Sequence, residues 1–320
     1  MDVLSDVMSL MRTRGHVYGR IELSAPFGLA FPHQYGICLV VTDGGCFLNV
    51  SGHGAIWLSA GDFVFLPIAA TFNLLSDVNV PVDKFSNAEQ LASFSTTRIF
   101  EYGGGQGHTV SLIAGCFTFS SPESHLLTDQ LPALLHVRVG ETATYAQGLM
   151  EVMLAEVDNG EPGSSAIIDR LVEILLLQAI RHHFYSADCY SGPGWLRALG
   201  DSKIRAALTL IHRNPGAPWT VEKMAREVGM SRSAFAGRFK ELVGKTPLDH
   251  LTEWRMVHAA GLIRNNPSMK IDTLAESVGY QSESAFRKAF RKVMKITPRT
   301  YRQQENIEPH THEMNSSGQS

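Results

Sequence analysis

Two short segments in the C-terminal third of the chain carry basic and hydroxyl side chains at matching positions. Lysine and arginine can neutralise phosphate groups, whereas serine, glutamate and arginine can form hydrogen bonds with the edges of nucleotide bases. These residue types indicate a surface that binds a nucleic acid. The residues that we expect to form this surface are Ser231, Arg232, Ser233, Arg238, Lys240, Ser282, Glu283, Ser284, Arg287, Lys288 and Arg291.

The two kinds of contact are expected to come from different members of this set. Arg232 suits guanine, whose two acceptors match a guanidinium group, and Glu283 can accept a hydrogen bond from the amino group of cytosine. We expect Ser233, Ser284 and Lys288 to read base edges as well. The remaining basic residues are predicted to contact phosphates: Arg238, Lys240, Arg287 and Arg291.

Both segments belong to a longer sequence that occurs twice between residues 219 and 301. The first copy reads Met-Ala-Arg-Glu-Val-Gly-Met-Ser from residue 224, and the second reads Leu-Ala-Glu-Ser-Val-Gly-Tyr-Gln from residue 274. The offset between the copies is 50 residues at first and 51 from Ala234 and Ala285 onward. Each copy predicts a short helix, a turn with glycine and a second helix, which is the pattern of a helix-turn-helix.

Individual residue types support this prediction. Gly229 and Gly279 suit the left-handed backbone conformation that ends a helix, and Ser231 and Ser282 can cap the helix that follows. Each second helix has two phenylalanines four residues apart, so one of its faces should be buried. These phenylalanines are Phe235, Phe239, Phe286 and Phe290.

A Thr-Pro pair closes each copy, at residues 246–247 and 297–298. The duplicated pattern, its spacing and the closing Thr-Pro resemble the DNA-binding domain of the AraC/XylS family of bacterial transcription regulators. The resemblance covers about 100 residues, and it implies two helix-turn-helix units joined by a long helix, here residues 248–263. Ala236 and Gly237 depart from the family pattern, in which longer polar residues are common.

The charge distribution supports this division of the chain. Residues 201–320 hold 19 Lys+Arg and 12 Asp+Glu, a balance of +7, whereas residues 1–200 hold 9 and 19, a balance of −10. A basic domain beside an acidic one is expected when only the basic domain binds a polyanion.

The N-terminal part predicts a β-barrel. Short apolar segments separated by Gly, Asp, Asn or Ser follow one another between residues 20 and 139, which is typical of a barrel or jelly roll. The segment Ser-Ala-Gly-Asp-Phe-Val-Phe-Leu-Pro, residues 59–67, resembles the second cupin motif. This implies a cupin-type sensor domain like that of many AraC/XylS members. We also expect a helix within residues 1–20, a mobile loop at residues 84–109 and a strand at residues 110–119.

A metal centre is not expected in this barrel. The resemblance to metal-binding cupins would require a histidine after Pro67, but Phe72 stands there, and residues 36–45 contain no histidine. Transition metals need several converging nitrogen, oxygen or sulfur ligands. His33, His53 and His108 are interpreted as surface or loop residues, and no cofactor is expected.

A barrel without metal can still bind a small molecule, because ligand pockets are mostly apolar with a few polar groups. Tyr35, Cys38, Trp57 and Phe72 are the candidates for effector binding, although Trp57 and Phe72 could instead fill the barrel. Cys38 and Cys116 could alternatively form a redox-sensing pair, which requires exposed thiols of lowered pKa. The competing interpretation is that both thiols are buried and inert.

Between barrel and repeats, residues 144–157 and 164–184 predict two helices, which either carry dimer contacts or cover one barrel face.

The predicted fold is multidomain α+β. It comprises a cupin-like barrel at residues 1–140, a helical dimerisation and linker segment at 141–200, an all-α domain with two helix-turn-helix units at 201–305 and a disordered tail at 306–320. Within the helical segment, residues 187–200 read as a linker.

The expected function is sequence-specific regulation of transcription, controlled by a small molecule or an oxidant. The expected partners are double-stranded DNA, RNA polymerase, the effector and a second copy of the chain.

The chain is predicted to be a cytoplasmic protein that does not enter membranes. It has four cysteines without metal spacing, no signal peptide and no long apolar run. The alternatives are a cupin-type metalloenzyme fused to a DNA-binding module and an architectural DNA-binding protein without a sensor.

Overall fold

The computed structural model describes residues 4, 13–31, 35–67, 71–84, 99–119, 131–138, 145–185 and 195–307. Apart from Leu4, these residues form two compact units, residues 13–185 and residues 195–307. Each unit has a hydrophobic core of its own. Among the described helices, none combines the length and the apolar character that a membrane span requires.

The N-terminal unit is a pair of β-sheets followed by two helices. A six-stranded sheet has the order β11-β6-β3-β10-β1-β9, and a five-stranded sheet has the order β5-β4-β7-β2-β8. The strands are β1 (Thr13–Ser24), β2 (Gly28–Phe31), β3 (Gly36–Asp43), β4 (Gly45–Val50), β5 (Gly54–Ser59), β6 (Phe63–Leu66), β7 (Phe72–Leu75), β8 (Asp83–Lys84), β9 (Ile99–Gly103), β10 (Thr109–Phe119) and β11 (Leu135–Val137).

Alternation of side chains along the strands builds the core between the sheets. On β3, Ile37, Leu39 and Val41 pack into the same cluster as Leu48 and Leu74 of the five-stranded sheet. Successive side chains of a strand point to opposite faces, so every second residue of β3 enters this core. The predicted cupin-like β-unit is confirmed.

The other face of the six-stranded sheet is covered by a helix. Helices α1 (Tyr145–Asn159) and α2 (Ser164–Tyr185) pack against each other, and α2 contacts β1, β6 and β11. Phe63, Phe65 and Phe117, which alternate with the residues of the inner core, are completely buried. On α2, Asp169 accepts a hydrogen bond of 2.8 Å from the backbone N–H of Gly15. The interpretation that these helices cover a sheet face is therefore confirmed.

The predicted loop at residues 84–109 is wrong in part, because residues 99–103 form β9, which pairs with β1 in parallel. Strand β1 begins at Thr13 and pairs with β10 from Thr13 opposite Phe119, so the helix predicted within residues 1–20 must end before Thr13. The predicted linker 187–200 includes the short helix α3 (Trp195–Ala198). Residues 1–3, 5–12, 85–98, 186–194 and 308–320 lie outside the described residues.

The C-terminal unit is all-α, as predicted. After α3 it comprises α4 (Ser202–Arg213), α5 (Val221–Glu227), α6 (Arg232–Val243), α7 (Pro247–Asn265), α8 (Ile271–Ser277), α9 (Glu283–Met294) and α10 (Pro298–Ile307). The pairs α5–α6 and α8–α9 are the two helix-turn-helix units, and α7 is the long helix expected between them.

Both helix-turn-helix units are built by the same local interactions. Gly229 and Gly279 have φ of +64° and +82°, in the left-handed region that glycine adopts without strain. The N–H of the next residue, Met230 or Tyr280, donates to a carbonyl five residues back at 2.9 Å in both copies. This closes the first helix of each unit as a Schellman motif does.

The predicted buried faces are confirmed. The four side chains are completely buried, and the ring centroids are 5.6 Å apart in α6 and 5.7 Å apart in α9. These residues are Phe235, Phe239, Phe286 and Phe290.

The glycine turns of the two units differ in the space around them, which gives a matched test. A Cβ at Gly229 would meet only the Lys203 amino group at 3.6 Å, whereas a Cβ at Gly279 would lie 2.6 Å from the carbonyl oxygen of Gly216. Gly229→Ala should cost about 1–2 kcal/mol through its left-handed backbone alone. Gly279→Ala should cost about 1–3 kcal/mol more, because the neighbouring backbone must move. Urea unfolding of both variants measures this, and equal losses would contradict it.

Two histidines in contact, His212 buried and His250 half-buried, predict the pH dependence of the C-terminal unit. The Nε2 atoms of His212 and His250 are 3.1 Å apart, and the His212 ring stacks on Trp254. Burial lowers the pKa of His212 well below its usual range, and burial, aided by Lys245, lowers the pKa of His250 to about 3. Below pH 6.5 the unfolded chain therefore binds more protons than the folded chain, so stability should fall as pH decreases.

We expect each histidine to contribute a slope of up to about 1.4 kcal/mol per pH unit between pH 6.5 and 5. The His250→Gln variant, which cannot titrate at this position, should show a shallower dependence of the urea midpoint on pH. Identical slopes in the variant and the unsubstituted chain would contradict this account.

Candidate nucleic-acid interface

The second helix of each unit, α6 or α9, presents a polar face to solvent. Ser231 and Ser282 cap these helices, each accepting a hydrogen bond of 3.3 Å from a backbone N–H three residues on. Burial of the phenylalanines orients the helix, so that the opposite face is exposed. All the residues predicted from sequence as DNA contacts are exposed: Ser231, Arg232, Ser233, Arg238, Lys240, Ser282, Glu283, Ser284, Arg287, Lys288 and Arg291.

In the first unit, two of the predicted contacts are held by acidic neighbours. Arg232 Nε lies 2.6 Å from a carboxylate oxygen of Glu222, and Arg238 Nε lies 2.6 Å from one of Asp201. Burial would raise the pKa of Asp201, but hydrogen bonds from the Ile204 amide and from Arg238 outweigh it and lower this pKa. Because Asp201 also caps α4, Arg238 is tied to the N-terminus of that helix.

In the second unit, only one basic residue of α9 is paired within the described residues. Arg287 Nε donates to Glu283 Oε1 at 2.6 Å, one helical turn away, so the two predicted contacts bind each other. Ser284 and Lys288 are exposed, and neither forms a hydrogen bond through its side chain with another described residue.

The C-terminal half of α9 lines a cleft of about 670 Å³. On α9, Arg291 and Lys292 lie three and four residues after Lys288, and Lys295, the residue that caps the helix, follows three residues after Lys292. The four side chains form one stripe. Like charges at this spacing destabilise a helix by about 0.2–0.5 kcal/mol per pair. The cleft is lined by Arg287, Lys288, Arg291, Lys292, Lys295, Thr297 and Pro298.

Sequence reasoning missed Lys292 and Lys295, although the alignment of the two copies contains the signal. With the offset of 51 residues, Lys292 stands opposite Glu241 and Lys295 opposite Gly244. Both members of the latter pair adopt the left-handed conformation, with φ of +64° at Lys295 and +85° at Gly244. Among the described residues, Lys295 is the only one other than glycine that has a positive φ.

The predicted effector residues do not converge on one pocket. Phe72 lies in the core between the sheets and stacks on Phe31 at 4.9 Å, whereas Cys38 lies on the opposite face of the six-stranded sheet. Trp57 is 47% exposed and packs edge-on against Phe47, and Tyr35 is 39% exposed. Two of the four are thus accessible at the surface, and the other two are buried.

The two candidate redox cysteines point away from each other. In the register of β3 and β10, Cys116 is opposite Ile37 and Cys38 is opposite Gly115. Because Cys116 packs against the same core as Ile37, the Cys38 side chain is on the other side of the sheet. Burial raises the pKa of Cys38 to about 12 and also raises the pKa of Cys116. The structure therefore does not bring these thiols together.

The histidines considered as metal ligands are separated. His53 and His108 are exposed, as expected for surface residues, and His33 lies outside the described residues. Within the described ranges, no group of three or more His, Cys, Asp or Glu side chains is arranged to hold a metal ion.

A second, polar cleft of about 510 Å³ lies where β1 and β9 run side by side. Arg20 bridges to Asp158 of α1, and Glu22 lies opposite Glu101 in the strand register. The cleft is lined by Arg20, Glu22, Ser24, Ile99, Glu101, Tyr102 and Gly103. None of these residues is predicted from the sequence to belong to a site.

The chain matches two family models, and together they span most of its length. A model described as Cupin matches residues 2–185, and a model described as Helix-turn-helix domain matches residues 224–304.

The chain is similar to known proteins over nearly its full length. A putative AraC-like transcription regulator of Streptomyces antibioticus is 34% identical, covering 94% of this chain and 98% of that protein. The HTH-type transcriptional regulator AlkR of Acinetobacter baylyi is 33% identical over 77% of this chain and 80% of its own. The structure of fatty acid-bound ToxT from Vibrio cholerae is 14% identical, covers 90% of this chain and 95% of that chain, and has a TM-score of 0.36. With its cupin domain and its duplicated helix-turn-helix, the chain belongs to the AraC-type transcription regulators.

Proposed function

We propose that this regulator binds its operator by placing α6 and α9 in successive major grooves on one face of the duplex. The observation that carries this proposal is the shared construction of the two units, each of which buries its phenylalanines and exposes a capped second helix. Successive major grooves are about 34 Å apart along B-DNA. A chain with two such helices can therefore contact two grooves without a partner.

Base reading is proposed for Arg232, Ser233, Glu283, Ser284 and Lys288. Arg232 and Glu283 would have to exchange their present ion pairs for contacts with bases, whereas Ser284 and Lys288 are available without such an exchange. Phosphate contacts are proposed for the remaining basic residues of the predicted surface: Arg238, Lys240, Arg287 and Arg291.

Alanine substitution at Ser284 and Lys288 tests this assignment. Loss of a base contact typically costs about 1–3 kcal/mol and relaxes specificity at the base that was read. We expect the double variant to discriminate less between the operator and a scrambled duplex, measured by fluorescence anisotropy at fixed salt. Lys84→Ala, which removes an exposed lysine of the N-terminal unit, is the matched control. Unchanged discrimination in the double variant would remove these two residues from the base-reading set.

We also propose that the cupin unit senses a small molecule or an oxidant and has no catalytic role of its own, since the relatives are named as regulators. Trp57 and Tyr35 support ligand binding at the surface, because both are large, exposed rings. Binding at Cys38 or Phe72 would require the core to open, since both are almost fully buried.

Thiol labelling distinguishes the two kinds of signal. A pKa of about 12 leaves about one Cys38 thiol in ten thousand ionised at pH 8, and only the thiolate reacts. We expect Cys38 and Cys46 of the folded chain to react with iodoacetamide far more slowly than in urea, as measured by mass spectrometry of peptides. Rapid native labelling of Cys38 would contradict this and favour redox sensing.

The remaining proposals concern assembly and place of action. Three apolar side chains of α1 and α2, Val152, Ile167 and Ile174, are each at least 40% exposed. Exposed apolar side chains on neighbouring helices favour association with a second copy, so we propose a homodimer. Contact with RNA polymerase and action in the cytoplasm are proposed from the regulator family.

A further inference from the structure

We propose that Lys292 and Lys295 extend the stripe of Lys288 and Arg291 in the second helix-turn-helix unit onto the DNA backbone, and that the first unit has no equivalent of these two phosphate contacts. This inference rests on the proposed docking of both units on the duplex. It adds Lys292 and Lys295 to the DNA-binding surface and gives the two units unequal electrostatic roles.

The two copies share a backbone plan but differ in charge at the end of the second helix. The cap, the buried phenylalanines and the left-handed residue that ends the helix occupy equivalent positions in α6 and α9. Three positions along one stripe carry lysine in α9 and glycine or glutamate in α6. The pairs are Gly237 and Lys288, Glu241 and Lys292, and Gly244 and Lys295.

Ion pairs within the first unit reduce its charge further. Arg232 and Arg238 are held by Glu222 and Asp201, and Lys245, just after α6, pairs with Glu253 of α7. Lys240 alone of the basic residues at positions 232–245 has no acidic partner among the described residues. At the equivalent positions, residues 283–296, one of the five basic residues, Arg287, has an acidic partner among the described residues.

The conformation of Lys295 indicates that its charge matters. At the equivalent position Gly244 adopts positive φ without strain, whereas a lysine at φ +64° is strained. Its amino group donates to the Lys292 carbonyl oxygen at 3.1 Å, a contact that does not require a lysine there. The repulsion along the stripe is relieved when an anion binds between the side chains.

The anion that fits is the phosphate backbone of a duplex. The cleft opens on the side of α9 that carries the proposed DNA contacts Arg287, Lys288 and Arg291, so a strand that meets these residues passes Lys292 and Lys295. Four cations spread along one cleft match the extended negative charge of a duplex better than that of a single small anion.

Lys295→Gly tests the proposal, because it copies the first unit and removes backbone strain. The probe is a mixed-sequence DNA duplex of about thirty base pairs, and binding to the full-length chain is followed by anisotropy from low to high salt. We expect the magnitude of the slope of log K against log salt to fall by about 0.9. The loss of affinity in the variant should therefore be about eightfold larger at 0.1 M salt than at 1 M salt. The melting temperature should stay the same or rise, which excludes unfolding as the cause.

Lys245→Ala is the matched control, since it removes a basic residue at the same end of the first unit, and it should leave the slope unchanged. An unchanged slope for Lys295→Gly overturns the inference. That result is expected if the cleft binds an acidic protein and not the DNA backbone. An equal loss in Lys245→Ala would overturn it too. Failure of the unsubstituted chain to bind the duplex would instead reject the proposed docking of both units.

Discussion

The burial of two phenylalanines one turn apart is the constraint on which each helix-turn-helix unit depends. Complete burial of such a side chain contributes about 1.5–3 kcal/mol, so a pair fixes the rotation of its helix about the axis. Once Phe286 and Phe290 face the core, Ser284, Lys288 and Arg291 must face solvent. The chemistry of the exposed face is thus free to diverge between copies, while the core and the turn stay the same.

This separation explains how one repeated fold carries two different surfaces. In the first unit, acidic residues on neighbouring elements hold the arginines of α6, so that little positive charge is left unpaired. In the second, basic residues repel one another along α9 and only Arg287 is paired within the described residues. Surfaces that bind polyanions commonly carry an excess of positive charge, and the repulsion between these charges lowers the stability of the helix.

The parts of the structure that could be predicted from sequence are those specified locally. The glycine turns, serine caps and phenylalanine spacing are contained within a few residues of each copy, so α5, α6, α8 and α9 could be predicted. Strand β9 has five residues and exists because β1 lies beside it. The pairing of Arg238 with Asp201, 37 residues away, likewise depends on the tertiary fold. The opposite orientation of Cys38 and Cys116 follows from strand register, which composition does not reveal.

In the cupin unit, the motif that identifies the fold has a structural role. Asp62, in the motif used to identify the unit, accepts a hydrogen bond of 3.1 Å from the Ser59 N–H and lies 3.0 Å from His136 Nε2 on β11. The aspartate therefore holds the turn before β6 and joins it to the neighbouring strand. With one sheet face packed on the second sheet and the other under α2, the candidate effector residues that remain accessible are Trp57 and Tyr35.

The most direct test of the whole account is hydroxyl-radical footprinting of the chain on its operator. If α6 and α9 occupy successive major grooves, each bound chain should protect two tracts of backbone about ten base pairs apart on one face of the duplex. Protection of a single tract per chain, at concentrations that saturate the DNA, would contradict the account.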